Sequence, residues 1–174
     1  MSDIIYFVTE NDIKENSTIS YAVEDKLITN SIIDAQNIDI QYLLGSRLMK
    51  KLQELVKTND IHEVINADYK TLLDDYVVNA LFKAIEKRVI LKIWVKIRNT
   101  GVVQQDNENS TPVEVEVIDK IRREISNDYE YYANLLRNYL CEVELEEYSN
   151  YNPDGLNHYE KPNKDDNYFN GFVL

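Results

Sequence analysis

The chain predicts an all-α fold, a helical bundle built on one long antiparallel helical hairpin. Residues 66–98 are apolar around most of a helical circumference. Residues 112–148 carry one apolar stripe at three- and four-residue spacing. Between them, the polar segment 99–111 has no core-forming pattern beyond Val102 and Val103, so it forms the hairpin's polar tip. Four glycines and three prolines in 174 residues favour long elements over a turn-rich β fold. A chain of this length reads as one domain and buries about 70% of its unfolded surface without metals or disulfides. The expected organisation is a helical unit at 1–148 followed by an extended, acidic, aromatic-containing tail at 149–174.

Short helices precede the hairpin. Ile4 to Val8 is an apolar entry, and Thr9 caps a brief helix with acids in its first turn. Residues 19–29 read as a packed connector. Asn30 or Ser31 starts a helix whose apolar face gathers Ile32, Ile33, Ala35, Ile38, Tyr42 and Leu43. Gly45 ends it, and Leu48, Leu52, Leu55 and Val56 form the face of the next helix, so Leu44-Gly-Ser46 is a corner. Asn66 caps the first arm, whose residues from Tyr69 to Ile97 leave a narrow wet edge of lysines. The β-branched density at 89–97 lends strand propensity there, but length and lysine spacing favour helix.

The second arm opens on Thr111-Pro-Val-Glu114, with Thr as N-cap, Pro at N1 and Glu closing a capping box. The alternation at 113–117 offers a strand pairing with 101–105 as the competing reading. Ile118, Ile121, Ile125, Tyr129, Tyr132, Leu136, Tyr139, Leu140 and Val143 then form the stripe, and Cys141 reads as a small core hydrophobe within it. Tyr131 points away from the stripe, toward an interface. The tail's Tyr151, Tyr159, Tyr168, Phe169 and Phe172 would offset an ordering cost of about 1–2 kcal/mol per residue only by docking on a partner or neighbouring subunit.

The formal charge of −12 opposes non-specific phosphate binding by the whole molecule. It is uneven. Lys83, Lys87, Arg88, Lys92, Lys96 and Arg98 against Glu86 give a local net of +5. These cations suit either ion pairs with acids or a DNA channel. The acidic start lacks a secretory signal pattern, and Lys92 and Lys96 interrupt the most apolar run, so a soluble intracellular protein without membrane contact is expected.

Catalytic chemistry is not expected. With two histidines, His62-Glu63 lacks the second histidine of a zinc-protease helix, and His158 sits in the tail. Cys141 has no basic neighbour in sequence to activate it. Asp74 and Asp75 are adjacent on a helix and do not share a face, and the glycines are too scattered to cradle a phosphate. The sequence therefore predicts a non-enzyme with no cofactor and no metal.

Several stretches carry a family resemblance. They are Asp34-Ala-Gln-Asn-Ile-Asp-Ile-Gln-Tyr-Leu-Leu-Gly45, Leu48 to Leu55, Asp68-Tyr-Lys-Thr-Leu-Leu73, Asn99 to Ser110, and a Tyr-rich helix ending Leu136-Arg-Asn-Tyr-Leu140. In this order they resemble the head–tail connector proteins of tailed bacteriophages, most closely the ring proteins of crAss-like phages, over residues 7–140. The resemblance implies an all-helical adaptor forming a homo-oligomeric ring, a dodecamer, at the virion's head–tail interface after synthesis in the host cytoplasm. Its implied partners are the portal protein and other connector or tail proteins, with DNA sliding through the channel without specific binding. Gly101, Val102, Val103, Gln104 and Gln105 at the tip, with Tyr131 and the tail aromatics, become the expected contacts. Lys83, Lys87, Lys92, Lys96 and Arg98 become channel or salt-bridge cations. The alternative is an acidic, non-enzymatic helical regulator that binds a host protein by charge mimicry; a DNA-packaging or transcription module using the basic run is a third class.

Overall fold

A computed structural model of the chain describes residues 5–98, 101–104 and 115–149. It is the all-α bundle the sequence predicts, with the antiparallel hairpin at its centre. Helix α1 (Glu10–Asn16) opens on a complete capping box. The Asp12 backbone N–H donates to Thr9 Oγ1 at 3.2 Å, and the Thr9 N–H donates to the Asp12 carboxylate at 2.7 Å.

Helix α2 (Asp25–Asp34) starts earlier than Asn30 or Ser31, because burying Ile28 fixes its first turn although Glu24 supplies no side-chain cap. A π-helical stretch, Ala35–Ile40, carries the chain into α3 (Gln41–Thr58). Gly45 interrupts α3 at φ 75° and ψ 161°, a conformation open almost only to glycine, which makes the expected corner. The π stretch explains a correction. A wider turn advances the helix phase, so the core takes Ile40, Leu43 and Leu44 while Ile38 and Tyr42 turn to solvent at 57% and 44% exposure.

The first arm is one run of helix: α4 (Ala67–Thr71), a π-helical stretch Leu72–Val77, and α5 (Val78–Trp94). Asn66 precedes it without capping it; its buried amide donates instead to the Asp60 carbonyl at 2.8 Å. Leu72, Val77, Ala80, Leu81, Ala84, Ile85 and Val89 form the middle of the core. The arm was expected to stay helical to residue 98. Instead the chain becomes strand β1 (Val95–Arg98), paired antiparallel with β2 (Gly101–Gln104), Lys96 opposite Val103 and Ile97 opposite Val102. Four β-branched residues, Val95, Ile97, Val102 and Val103, favour the extended ribbon over helix.

Helix α6 (Val115–Glu142) forms the second arm, about 42 Å long at helical rise. The capping box at Thr111 to Glu114 lies outside the described residues. The arm was expected to run unbroken to 148, but it breaks after α6, and α7 (Glu146–Ser149) then packs on α3. Tyr76 stacks on Tyr139 with centroids 4.3 Å apart, while Lys83 meets Asp128 farther up, which fixes the antiparallel sense. Ala133, Leu136 and Leu140 face the core. Cys141 is exposed rather than buried, since it falls five residues after Leu136, off the buried arc. Ile121 also belongs outside the buried stripe, at 40% exposure.

Polar groups tie the N-terminal elements to this core. Gln36 is buried; its Oε1 accepts from the Phe7 N–H at 3.0 Å and its Nε2 donates to the Ile5 carbonyl at 2.6 Å. Glu86 is buried too, accepting from the Thr18 N–H at 3.0 Å and from Lys83 Nζ at 3.0 Å. Both of these buried side chains are thus hydrogen-bonded, which avoids the desolvation cost of an orphan.

Candidate interaction surface

Lys83, Lys87, Arg88 and Lys92 of the basic run lie along α5, and each has a partner inside the chain. Lys92 meets Asp34 at 2.7 Å and Arg88 meets Asp39 at 2.6 Å. Burial pulls the Lys83 ammonium down, but Glu86 and Asp128 outweigh it and hold the group above the usual lysine range. Lys87 stands over the Tyr129 ring, 5.4 Å from its centroid. These four cations bind α2, the π stretch and α6 to α5. Lys96 and Arg98 fall on β1, where Arg98 is opposite Gly101.

The tip residues Gly101, Val102, Val103 and Gln104 form β2, whereas Gln105 lies outside the described residues. Tyr151, Tyr159, Tyr168, Phe169 and Phe172 lie outside them as well. Tyr131 is 61% exposed, with its ring edge-on to Tyr132 at 5.3 Å.

The structure sets further exposed apolar residues beside Tyr131, and one of them, Ile121, was expected in the buried stripe. Val117, Ile121, Tyr131 and Leu135 are all exposed on α6, and their spacing puts them on one ridge together with Glu124 and Asp128. Near the same end of the hairpin, Leu91 and Ile93 of α5 are exposed too. Only Ile118 is buried among residues 116–128, so this half of α6 stands clear of the core. A second apolar pair, Val64 and Ile65, protrudes at 92% and 84% exposure from a 3-10 turn braced by Asn66. The fourfold and threefold spacing at 117, 121, 124, 128, 131 and 135 could have revealed the ridge in sequence. The stronger stripe beside it masked that signal.

At the other end, α7 closes the bundle. Tyr69 donates its hydroxyl to Glu147 Oε2 at 2.5 Å and accepts Lys51 over its ring at 5.9 Å, so one side chain joins α3, α4 and α7. Burial and the Glu147 carboxylate push the Tyr69 phenol far up. Burial pushes Tyr148 up to about 12. Among the described residues no group of three or more His, Cys, Asp or Glu is placed to hold a metal ion, and no helix is long and apolar enough to cross a membrane. The arrangement offers surfaces for association: an apolar ridge on α6 and an exposed Val-Ile corner.

No curated protein and no solved structure matches the chain. The profile of one protein family, a family of unknown function designated DUF6712, matches residues 40–161, more than two thirds of the chain. The matched segment begins in the π stretch, takes in the whole hairpin, and continues past α7; the chain belongs to this family.

Proposed function

We propose that this chain is a head–tail connector of a tailed bacteriophage, a structural subunit that forms a homo-oligomeric ring beneath the portal. Twelve copies would extend the DNA channel and offer a platform joining the capsid to the tail. The stretches from Asp34 to Gly45 and from Asn99 to Ser110 carry the resemblance behind this reading. The observation that supports it best is the hairpin, whose inner half fills the core while its outer half exposes Leu91, Ile93, Val117 and Ile121. A subunit designed by evolution to bury surface against neighbours needs such residues outside its own core. The acidic balance of −12 suits a channel through which DNA slides without sticking.

The basic run contributes to folding in this reading, since Lys83, Arg88 and Lys92 are held by Glu86, Asp39 and Asp34. The tip residues and the tail aromatics are the surfaces assigned to the portal or an adjacent ring. Co-expression with the cognate portal, followed by purification and negative-stain microscopy, tests the proposal. A portal carrying an added ring of density is expected; a portal recovered bare, with the chain in a separate fraction, refutes it. Removing residues 150–174 is expected to weaken the complex while leaving the helical circular dichroism signal unchanged.

A further inference from the structure

We infer that α7 is an exchangeable clasp: the seat it occupies on α3 takes α7 of a second copy of this chain when α6 straightens through residues 143–145. The inference rests on the homo-oligomer part of the proposed function and requires nothing of the portal.

The seat and its occupant are both visible within one chain. Helix α7 packs on α3, Leu145 and Tyr148 are buried at 3% and 7% exposure, and Glu147 accepts from the Tyr69 hydroxyl. The seat therefore already fits residues 145–148, whichever copy supplies them.

The link between the two helices is the unusual part. Only Val143, Glu144 and Leu145 separate α6 from α7, and residues 141–149 include no glycine or proline. Glutamate and leucine favour helix, so nothing in the local backbone forbids α6 from running on to residue 149. Burial of Leu145 and Tyr148 opposes that. So does repulsion between Glu142 and Glu146 and between Glu144 and Glu147, which a continuous helix would set side by side. The bent form has a cost of its own. Arg137 lies near enough to Tyr148 for its charge to work against the burial that raises the phenol, and its Nε is buried without a hydrogen-bond partner. Opposed preferences of this kind make a two-state element. Continued over residues 143–149, the helix would end about 10 Å beyond Glu142, which takes α7 off its own seat. The vacated seat and the displaced α7 are then complementary between copies, an exchange that short hinges invite.

Cross-linking between differently marked copies reads the exchange directly. In full-length chains carrying Cys141→Ser, one copy carries Glu147→Cys on α7 and the other Tyr69→Cys in the seat; circular dichroism checks both folds. A chain with both substitutions is the control, and a short flexible bismaleimide should close it within one copy. The two single copies are mixed at about millimolar concentration, the effective concentration that a short link gives the closed clasp. They should yield a covalent dimer on a denaturing gel. Glu144→Gly in the copy that donates α7 should lower the initial yield about 3-fold and Glu144→Pro about 100-fold, following the cost of each residue inside a helix. Glu144 is exposed and lies outside both helices, so neither change disturbs a packed position. Where proline unfolds the chain, the glycine step carries the comparison. A mixture that gives no covalent dimer while the control closes overturns the inference, as does a dimer whose yield glycine leaves unchanged. Ring formation on the portal, tested separately, can survive either outcome.

Discussion

The two ends of the hairpin are built from the same kinds of residue and used differently. Toward α7, the arms meet through Tyr76 and Tyr139, and Leu72, Leu73, Ala133, Leu136 and Leu140 bury together. Toward the β ribbon, Leu91 and Ile93 of one arm and Val117 and Ile121 of the other stay exposed. Apolar content alone therefore does not distinguish the half that folds the molecule from the half available to a partner. The distinction comes from what packs against each half. Helix α3 packs on α6 and α7 reaches the first arm through Glu147 and Tyr69 at the inner half, while α2 lies along α5 as far as Lys92. Around 116–128, only Ile118 turns inward.

The two environments lie closest together at two adjacent leucines. Leu136 is fully buried and Leu135 is 37% exposed. Leu136→Ala is expected to cost about 2–5 kcal/mol in urea unfolding. Leu135→Ala should stay within about 0.5 kcal/mol. Equal losses would mean that the ridge belongs to the core.

At the covered end, Tyr148 should add a measurable alkali sensitivity. Tyr148 titrates at about 12 in the fold against 10.0 unfolded. A raised folded value means that its contribution is complete below pH 10 and disappears as pH rises through 12. Thermal melts are expected to fall across that window, with a loss on the order of 2 kcal/mol attributable to this phenol. Tyr148→Phe should remove that part of the dependence. A melting temperature flat from pH 8 to 12 would contradict the burial of Tyr148.

At the corner, Gly45→Ala is expected to cost about 1–3 kcal/mol, because a Cβ opposes its positive φ. A neutral substitution would mean that α3 runs through without the break. The smallest effect belongs to the ion pairs of α5. Lys92→Met, which removes the partner of a 42% exposed Asp34, should change stability by about 0.5 kcal/mol, less in high salt. A much larger loss would give the basic edge more weight in folding than its exposure allows.

Much of this architecture was legible in the sequence. Thr9 with Asp12, the Gly45 corner, and the apolar run from Leu72 to Val89 all sit where local chemistry and period placed them. The misplaced residues share a cause. Ile38 and Tyr42 follow the 3.6-residue period, but the π stretch between Ala35 and Ile40 shifts the phase, and no local signal in that segment announces a wider turn. Cys141 and Ile121 lie beside the buried stripe, and their apolar character pulled them into it on paper. At β1, lysine spacing suggested helix where β-branched residues and a nearby strand partner produced a ribbon. The candidate site was less legible than the fold. The sequence pointed to Tyr131, but the ridge around it became visible only when burial separated Leu135 from Leu136.

If the inner half of the hairpin holds the fold and the outer ridge meets partners, the two properties separate under mutation. Measuring both on a chain carrying Ile121→Asp and Tyr131→Asp tests this most directly, by urea unfolding and by ring formation on the co-expressed portal. The account predicts an unfolding midpoint close to wild type together with a lost ring. An unchanged ring, or a midpoint lowered as far as that of Leu136→Ala, would contradict it.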